Sequence, residues 1–202
     1  MRNLTIIAFE GAPCSGKSST FSFLQEHFTN NYIPRYQFIF SDEVASKLFE
    51  ANPTRPGGTI DFQLDVMKLQ LQDIELAKAA AAATTDTVVL IADRLLISGL
   101  AVYLPEEYKK LFDYNELLNL YDAVFYFDSA VDLVNDTKNG NLYRQESRDE
   151  IRLLATQTRA VLLPHNNFIE IPVFDDIRAK YDYVENKIID VIHSTYAKCE
   201  VA

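Results

Sequence analysis

The chain has 202 residues, and 48% of them are apolar, so the sequence can form one α/β domain with a sizeable hydrophobic core. Its formal net charge of −10 argues against a nucleic-acid backbone as the main partner, because that kind of binding requires a basic face. The sequence has no apolar run of about 18 residues and no leader pattern at its start, and its two cysteines fit a reducing compartment, so we expect a cytoplasmic protein without a membrane span.

The first predicted elements are a strand, a glycine-containing loop and a helix. Residues 4–9 form an apolar run typical of a buried strand, and residues 18–28 carry apolar side chains at helical spacing. Between them, residues 11–18 read G-x-x-x-x-G-K-S, the pattern of a phosphate-binding loop. In such a loop Lys17 would reach the terminal phosphates and Ser18 would bind Mg²⁺. The predicted nucleotide-binding residues are Gly11, Ala12, Pro13, Cys14, Ser15, Gly16, Lys17, Ser18 and Ser19.

The rest of the chain alternates between strand and helix patterns. Strands are predicted at residues 35–40, 87–92, 123–127 and 168–171, and helices at 42–49, 60–83, 95–103, 106–120 (as one helix or two), 147–163 and 175–193. Thr59 is a predicted N-cap, and Ser147 with Glu150 fits a capping box. This alternation predicts a single domain over residues 1–202: a five-stranded parallel sheet with helices on both faces, in the three-layer fold typical of P-loop proteins.

Charged residues that follow the predicted strands are the first candidates for chemistry, because ligands bind outside the carboxyl ends of parallel strands. Asp93 could hold a metal-bound water or accept a proton, and Arg94 could clamp a phosphate; alternatively the two form a structural ion pair. Glu43 could act as a general base or bind a sugar, or it could simply stabilise a helix start. These alternatives stay open at this stage.

Two further groups of residues are candidates for substrate contacts. Phe62 could stack on a base, although packing in the core is the simpler interpretation, and Gln63 could pair with a base edge. Residues 135–150 are predicted to form a lid in which Arg144 or Arg148 closes over the transferred phosphoryl group; the alternative is a solvated helix start of mixed charge.

With these pieces placed, the chain resembles the nucleoside and nucleotide kinases of the P-loop class over nearly its whole length. Residues 9–20 are similar to their opening strand and loop, and residues 93–98 are similar to the acid-Arg segment of deoxynucleoside and thymidylate kinases. The pattern looks closest to the AAA-domain-like group that includes the nicotinamide riboside kinase domain. The residues that carry this last similarity are Glu43, Val44, Ala45, Ser46, Phe62, Gln63, Asp93, Arg94 and Tyr103.

The resemblance implies ATP and Mg²⁺ as cofactors, with Lys17 and Ser18 on the donor phosphates and the metal, and with Asp93 near the metal. It also implies that Glu43 or Asp93 handles the acceptor and that Arg94 and the lid arginines contact phosphates. The chain departs from the family pattern after two strands, where it has Glu-Val instead of Glu-Pro and Asp-Arg-Leu instead of Glu-Arg-Ser, and in the lid, where Arg-x-x-x-Arg replaces Arg-x-Arg. These departures leave the identity of the acceptor open, but not the fold.

The sequence therefore predicts an ATP-dependent kinase that moves the γ-phosphoryl group to a nucleoside or to a nucleoside monophosphate. A monophosphate acceptor would need more cations, for which Arg35 and Arg55 are candidates. The alternatives are a switch or chaperone ATPase that acts through a protein partner, and a nucleotide-binding module without catalysis. A kinase is expected to have a deep cavity beside the phosphate loop. The oligomeric state stays open, with a homodimer as one option.

Overall fold

The computed structural model describes residues 3–133 and 147–200, in which five strands and eight helices alternate. The predicted position of Arg144, and most of the predicted lid at residues 135–150, lie outside the described residues. The strands are β1 (Leu4–Glu10), β2 (Tyr36–Ser41), β3 (Thr87–Asp93), β4 (Ala123–Phe127) and β5 (Phe168–Ile171). The helices are α1 (Lys17–Asn30), α2 (Val44–Ala51), α3 (Ile60–Ala82), α4 (Leu96–Tyr103), α5 (Glu106–Lys109), α6 (Tyr114–Leu118), α7 (Arg148–Leu162) and α8 (Ile177–Glu200).

The five strands form one parallel sheet in the order β2-β3-β1-β4-β5. In this order β3 lies directly beside β1, with Leu4 opposite Val88 at one end and Phe9 opposite Asp93 at the other. The carboxyl ends of β1 and β3 therefore meet at one edge of the sheet, where the phosphate loop follows β1. The predicted α/β fold with a five-stranded parallel sheet is confirmed.

The sheet is buried between two layers of helices. One apolar cluster joins the sheet to α3 and α4, and it includes Ile74, Leu96 and Ile97. The other joins the opposite face to α1 and α8 through residues such as Leu24 and Ile188. The central strands are buried on both faces, which explains why their sequences are nearly continuous apolar runs.

Local capping chemistry sets several helix boundaries. The Thr59 hydroxyl accepts a hydrogen bond from the Phe62 N–H at the start of α3, and Ser147 with Glu150 forms both bonds of a capping box at the start of α7. The predicted helical region 106–120 contains two short helices, α5 and α6, and the Asp113 carboxylate caps the second of them. The last helix continues to Glu200, seven residues beyond its predicted end.

Among the described residues, no helix combines the length and the apolar character that crossing a bilayer requires.

Candidate nucleotide-binding site

The loop between β1 and α1 depends on its two glycines. Gly16 has a φ of 75°, in the left-handed region, and it is the N-cap of α1 without a side-chain hydrogen bond to the first turn. A Cβ atom at Gly11 would lie 2.5 Å from the backbone oxygen of Phe127 at the end of β4. Because no side chain caps α1, the N–H groups of its first turn can bind an anion. This is the strand-loop-helix context that the motif predicts.

Lys17 and Asp93 form a buried ion pair at the base of this loop. The Lys17 ammonium contacts the Asp93 carboxylate, and the two side chains are only 5% and 6% exposed. The contact follows from the pairing of β1 with β3, which places Asp93 opposite Phe9. Burial raises the pKa of the Asp93 carboxyl above its ordinary value, although the charge of Lys17 acts in the opposite direction. The structure thus brings together two of the predicted site residues.

Arg94 binds two carboxylates from other parts of the chain. Its Nη1 atom donates to Glu10 at 2.8 Å, and its Nε atom donates to Glu43 at 2.5 Å. The Glu10 carboxylate is completely buried, and it also accepts hydrogen bonds from the N–H groups of Gly11 and Leu95. The sequence analysis left open a structural ion pair between Asp93 and Arg94, but the partners are different: Asp93 contacts Lys17, and Arg94 binds Glu10 and Glu43.

The charge state of Glu43 follows from this cluster. Burial favours its neutral form, but the positive charges of Arg94 and Lys17 and a hydrogen bond from Ser46 outweigh that effect and hold its pKa well below its usual range. Glu43 is therefore ionised at neutral pH. The two carboxylates in turn hold the pKa of Arg94 above its ordinary value, against the opposing effect of burial.

A cavity of about 370 Å³ extends from the phosphate loop between α2, α3, α4 and α7. All five residues predicted to contact the acceptor line this cavity: Glu43, Phe62, Gln63, Arg94 and Tyr103. Tyr103 is half-exposed. Phe62 is almost completely buried and stacks on Phe49, with 4.7 Å between the ring centroids, so it both packs in the fold and lines the cavity. The loop residues that line the cavity are Gly11, Ala12, Pro13, Cys14, Ser15, Gly16, Lys17, Ser18 and Ser19.

Two cavity residues that the sequence analysis did not single out carry buried polar atoms without a protein partner. They are Gln70 and Ser98, which are 7% and 5% exposed; the Gln70 Oε1 atom and the Ser98 Oγ atom make no hydrogen bond. A buried polar atom without a partner costs free energy, and a bound polar ligand would remove that cost. The only sequence signal for Gln70 was its spacing: it lies two helical turns after Gln63 on α3, and so on the same face of that helix.

Several predicted cations do not line the cavity. Arg148, the first residue of α7, donates to the backbone oxygen of Val131 and does not line the cavity. Arg55 pairs with Asp65 at 2.7 Å. Arg35 precedes β2, at the amino ends of the strands and therefore at the edge of the sheet opposite the phosphate loop.

The described residues fit a magnesium ion that is bound chiefly through a nucleotide. They contain no cluster of three or more His, Cys, Asp or Glu side chains that could hold a metal ion by themselves. Mg²⁺ normally keeps several waters and takes only one or two protein ligands together with substrate phosphates. Ser18, which lines the cavity, and Asp93, which contacts the neighbouring Lys17, are the two side chains that could serve in this way.

Comparison with known families agrees with this geometry. A family model described as an AAA domain matches residues 6–180, which include the phosphate loop, β3 and all the elements around the cavity. A search of curated proteins found no match. Because the family model covers most of the chain and contains the loop, nucleotide binding is the activity that the match supports. The chain belongs to the AAA domain family of P-loop nucleotide-binding proteins.

Proposed function

We propose that the protein is an ATP-dependent phosphotransferase that moves the γ-phosphoryl group to the hydroxyl group of a nucleoside. The observation that carries this proposal is the cavity, which is continuous with the phosphate loop and is walled by α3. A switch or a chaperone ATPase needs no such enclosed space beside its nucleotide. A kinase needs one, because the acceptor must lie in line with the γ-phosphate and away from water.

On the donor side, the residues of this chain position and neutralise the phosphates. The backbone N–H groups of the loop and of the first turn of α1 bind phosphate oxygens, and Lys17 supplies a positive charge at the terminal phosphates. Ser18 and Asp93 would hold Mg²⁺, which would supply further neutralisation of the transferred group. Asp93 holds the Lys17 ammonium at the base of the loop before the nucleotide arrives.

On the acceptor side, Glu43 is the acid that reaches the substrate. Glu43 lines the cavity, whereas Asp93 does not. Arg94 fixes the Glu43 carboxylate from one side and keeps it ionised, so that it can accept a hydrogen bond from the acceptor hydroxyl and orient its oxygen toward the phosphate. A strong base is not required, because phosphoryl transfer passes through a loose transition state in which positioning dominates. As the acceptor oxygen bonds to the γ-phosphorus, the bond to the bridging oxygen breaks and ADP leaves, while Glu43 takes the hydroxyl proton and passes it to solvent.

The charges around the cavity favour an uncharged acceptor. Among the lining residues that the structure describes, Lys17 and Arg94 are the cations, and both already bind carboxylates. Arg55 is neutralised by Asp65, and Arg35 lies at the other edge of the sheet. A monophosphate would therefore meet the negative charge of Glu43 without an additional cation from these residues. We place it second.

The walls of the cavity fit the two halves of a nucleoside. Phe49, which is half-buried and stacks on the buried ring of Phe62, provides an apolar surface for a base. The unpaired Gln70 and Ser98 atoms and the amide of Gln63 provide hydrogen-bonding partners for polar groups on a base or a sugar. An apolar surface with a few polar groups is the usual lining of a small-molecule site.

A panel of possible acceptors tests the proposal. Purified protein with Mg-ATP is incubated with nucleosides, nicotinamide riboside and nucleoside monophosphates, and ADP release is measured against a Lys17→Ala control. We expect rapid, saturable ADP release with at least one nucleoside or riboside and only slow hydrolysis without an acceptor. If hydrolysis is independent of every acceptor but rises when a protein partner is added, the kinase proposal is wrong and the switch ATPase replaces it.

A further inference from the structure

A lysine of the last helix contacts the phosphate loop but does not line the cavity. The side chain of Lys180 is only 6% exposed, and its ammonium donates to the backbone oxygen of Ser15 at 2.6 Å. The same ammonium lies 5.6 Å from the ring centroid of Phe127. It packs so closely on the loop that a Cβ atom built at Gly16 would be 2.8 Å from Nζ. The contact spans 165 positions of sequence.

The charge of Lys180 has no negative partner among the described residues. None of the ion pairs in residues 3–133 and 147–200 includes it, and its described hydrogen bond goes to a neutral carbonyl. Burying an ammonium without a carboxylate costs free energy, and burial lowers the pKa of this group. A residue that performed only apolar packing would avoid that cost. The arrangement is therefore expected to serve an anion that binds nearby.

The geometry of the peptide bond shows how Lys180 acts on the loop. The described chain contains no cis peptide, and a trans peptide holds its C=O and N–H groups in opposite directions. When Lys180 binds the Ser15 oxygen, the N–H of Gly16 must point away from Lys180. Ser15 and Gly16 line the cavity, whereas Lys180 does not. The Gly16 N–H is thus directed away from Lys180, in a loop segment that faces the cavity.

We propose that Lys180 is a positioning residue that fixes the peptide between Ser15 and Gly16 with its N–H directed at the nucleotide phosphates and adds a positive charge behind the loop. The first effect prepares a hydrogen-bond donor before the nucleotide binds, so less conformational freedom is lost on binding. The second effect favours the negative charge of the phosphates. The inference concerns nucleotide binding alone and does not depend on the identity of the acceptor.

Nucleotide affinity tests this role directly. We expect Lys180→Met to weaken the binding of Mg-ATP about tenfold or more, as measured by calorimetry, since a charge-assisted hydrogen bond and its charge are lost together. Lys180→Arg, which keeps the charge and the donors, should recover most of the affinity. Lys187→Met is the matched control, because it removes a lysine from the same helix at a half-exposed position, where it pairs with Asp190. It should bind Mg-ATP as the wild type does.

The number of phosphates separates a positioning role from a general loss of structure. A phosphate-directed effect should grow from AMP to ADP to ATP, whereas a distorted site should bind all three nucleotides more weakly by a similar factor. A cooperative thermal transition confirms that Lys180→Met is folded; if it is not, Lys180→Gln, which keeps a donor without the charge, is measured in its place. Unchanged ATP affinity in the folded variant, or an equal loss for the three nucleotides, overturns the proposal.

A second measurement needs no nucleotide. Cys14 lies in the same loop and is half-buried, so its rate of alkylation in a Cys199→Ser background reports how firmly the loop is held. We expect Lys180→Met to raise that rate several-fold, because the Ser15 peptide is no longer fixed, and Lys187→Met to leave it unchanged. An alkylation rate equal to that of the wild type in Lys180→Met would show that Lys180 does not hold the loop.

Discussion

Replacing Arg94 by methionine should strongly destabilise the folded protein. The substitution keeps a long apolar stem but removes the guanidinium that binds Glu10 and Glu43. Glu10 is 0% exposed, so its charge cannot turn toward water. Its remaining partners are the N–H groups of Gly11 at 3.0 Å and Leu95 at 3.4 Å. The buried carboxylate is then left without a cation beside it, which costs free energy.

The expected loss can be estimated from this geometry. Removing one partner of a buried ion pair costs about 3–5 kcal/mol, because an uncompensated charge is left inside. For a domain of this size, 1 kcal/mol shifts the thermal midpoint by about 2–4 °C, so the loss corresponds to roughly 6–20 °C. The matched control is Arg159→Met, which breaks an exposed pair with Glu170 whose side chains are 43% and 53% exposed. That pair is screened by water and should contribute little to stability.

Thermal and urea unfolding of the two variants, each compared with the wild type, provide the test. A double variant, Glu10→Gln with Arg94→Met, removes the buried charge together with its partner and should recover a substantial part of the loss. If Arg94→Met is no less stable than Arg159→Met, the Glu10 carboxylate does not depend on Arg94, and the reasoning from burial fails. A double variant less stable than Arg94→Met would refute it as well.

The remaining predictions concern binding and catalysis. Lys17→Ala should abolish phosphoryl transfer and should also lower stability, because the buried Asp93 carboxylate loses its cation. Wild-type ADP release by the folded variant would refute the loop assignment. Asp93→Asn should bind ATP but turn over far more slowly; turnover at the wild-type rate would exclude its proposed role. Gly99→Ala should raise the KM of the acceptor and leave ATP affinity unchanged, because the added Cβ would lie 2.1 Å from Gln63 Oε1. The depressed pKa of Glu43 stabilises the fold above about pH 4.5, and this contribution is lost as the pH falls, so urea titrations of Glu43→Gln should show a weaker acid dependence than the wild type.

The parts of the site that are contiguous in sequence could be predicted from the sequence. A phosphate loop uses consecutive residues whose backbone binds the ligand, so the motif at residues 11–18 carries most of its own geometry. Helix caps are equally local, and Thr59 and Ser147 both form the hydrogen bonds that their positions predict. Parallel strands that are buried on both faces are nearly continuous apolar runs, and helical patterns between those runs show where each strand ends.

The partners of the charged residues could not be predicted, because they depend on which strands become neighbours. Glu10 ends β1, Glu43 and Arg94 come just after β2 and β3, and only the order β2-β3-β1 brings the three together. No local sequence pattern identifies Glu10 as the partner of Arg94. Lys180 was missed for the same reason: it lies on the last helix, and only the packing of α8 against the sheet places it at the loop.

The same cluster links the two halves of the proposed reaction. Arg94 binds Glu10 at the entrance of the phosphate loop and Glu43 at the wall of the acceptor cavity, so one guanidinium sets the position of both. Its backbone has a φ of 87°, a conformation that costs about 1–3 kcal/mol for a residue with a side chain. A guanidinium whose purpose was to clamp phosphate would not need two carboxylate partners. Arg94 is therefore better understood as the residue that holds Glu43 at a fixed distance from the phosphate loop.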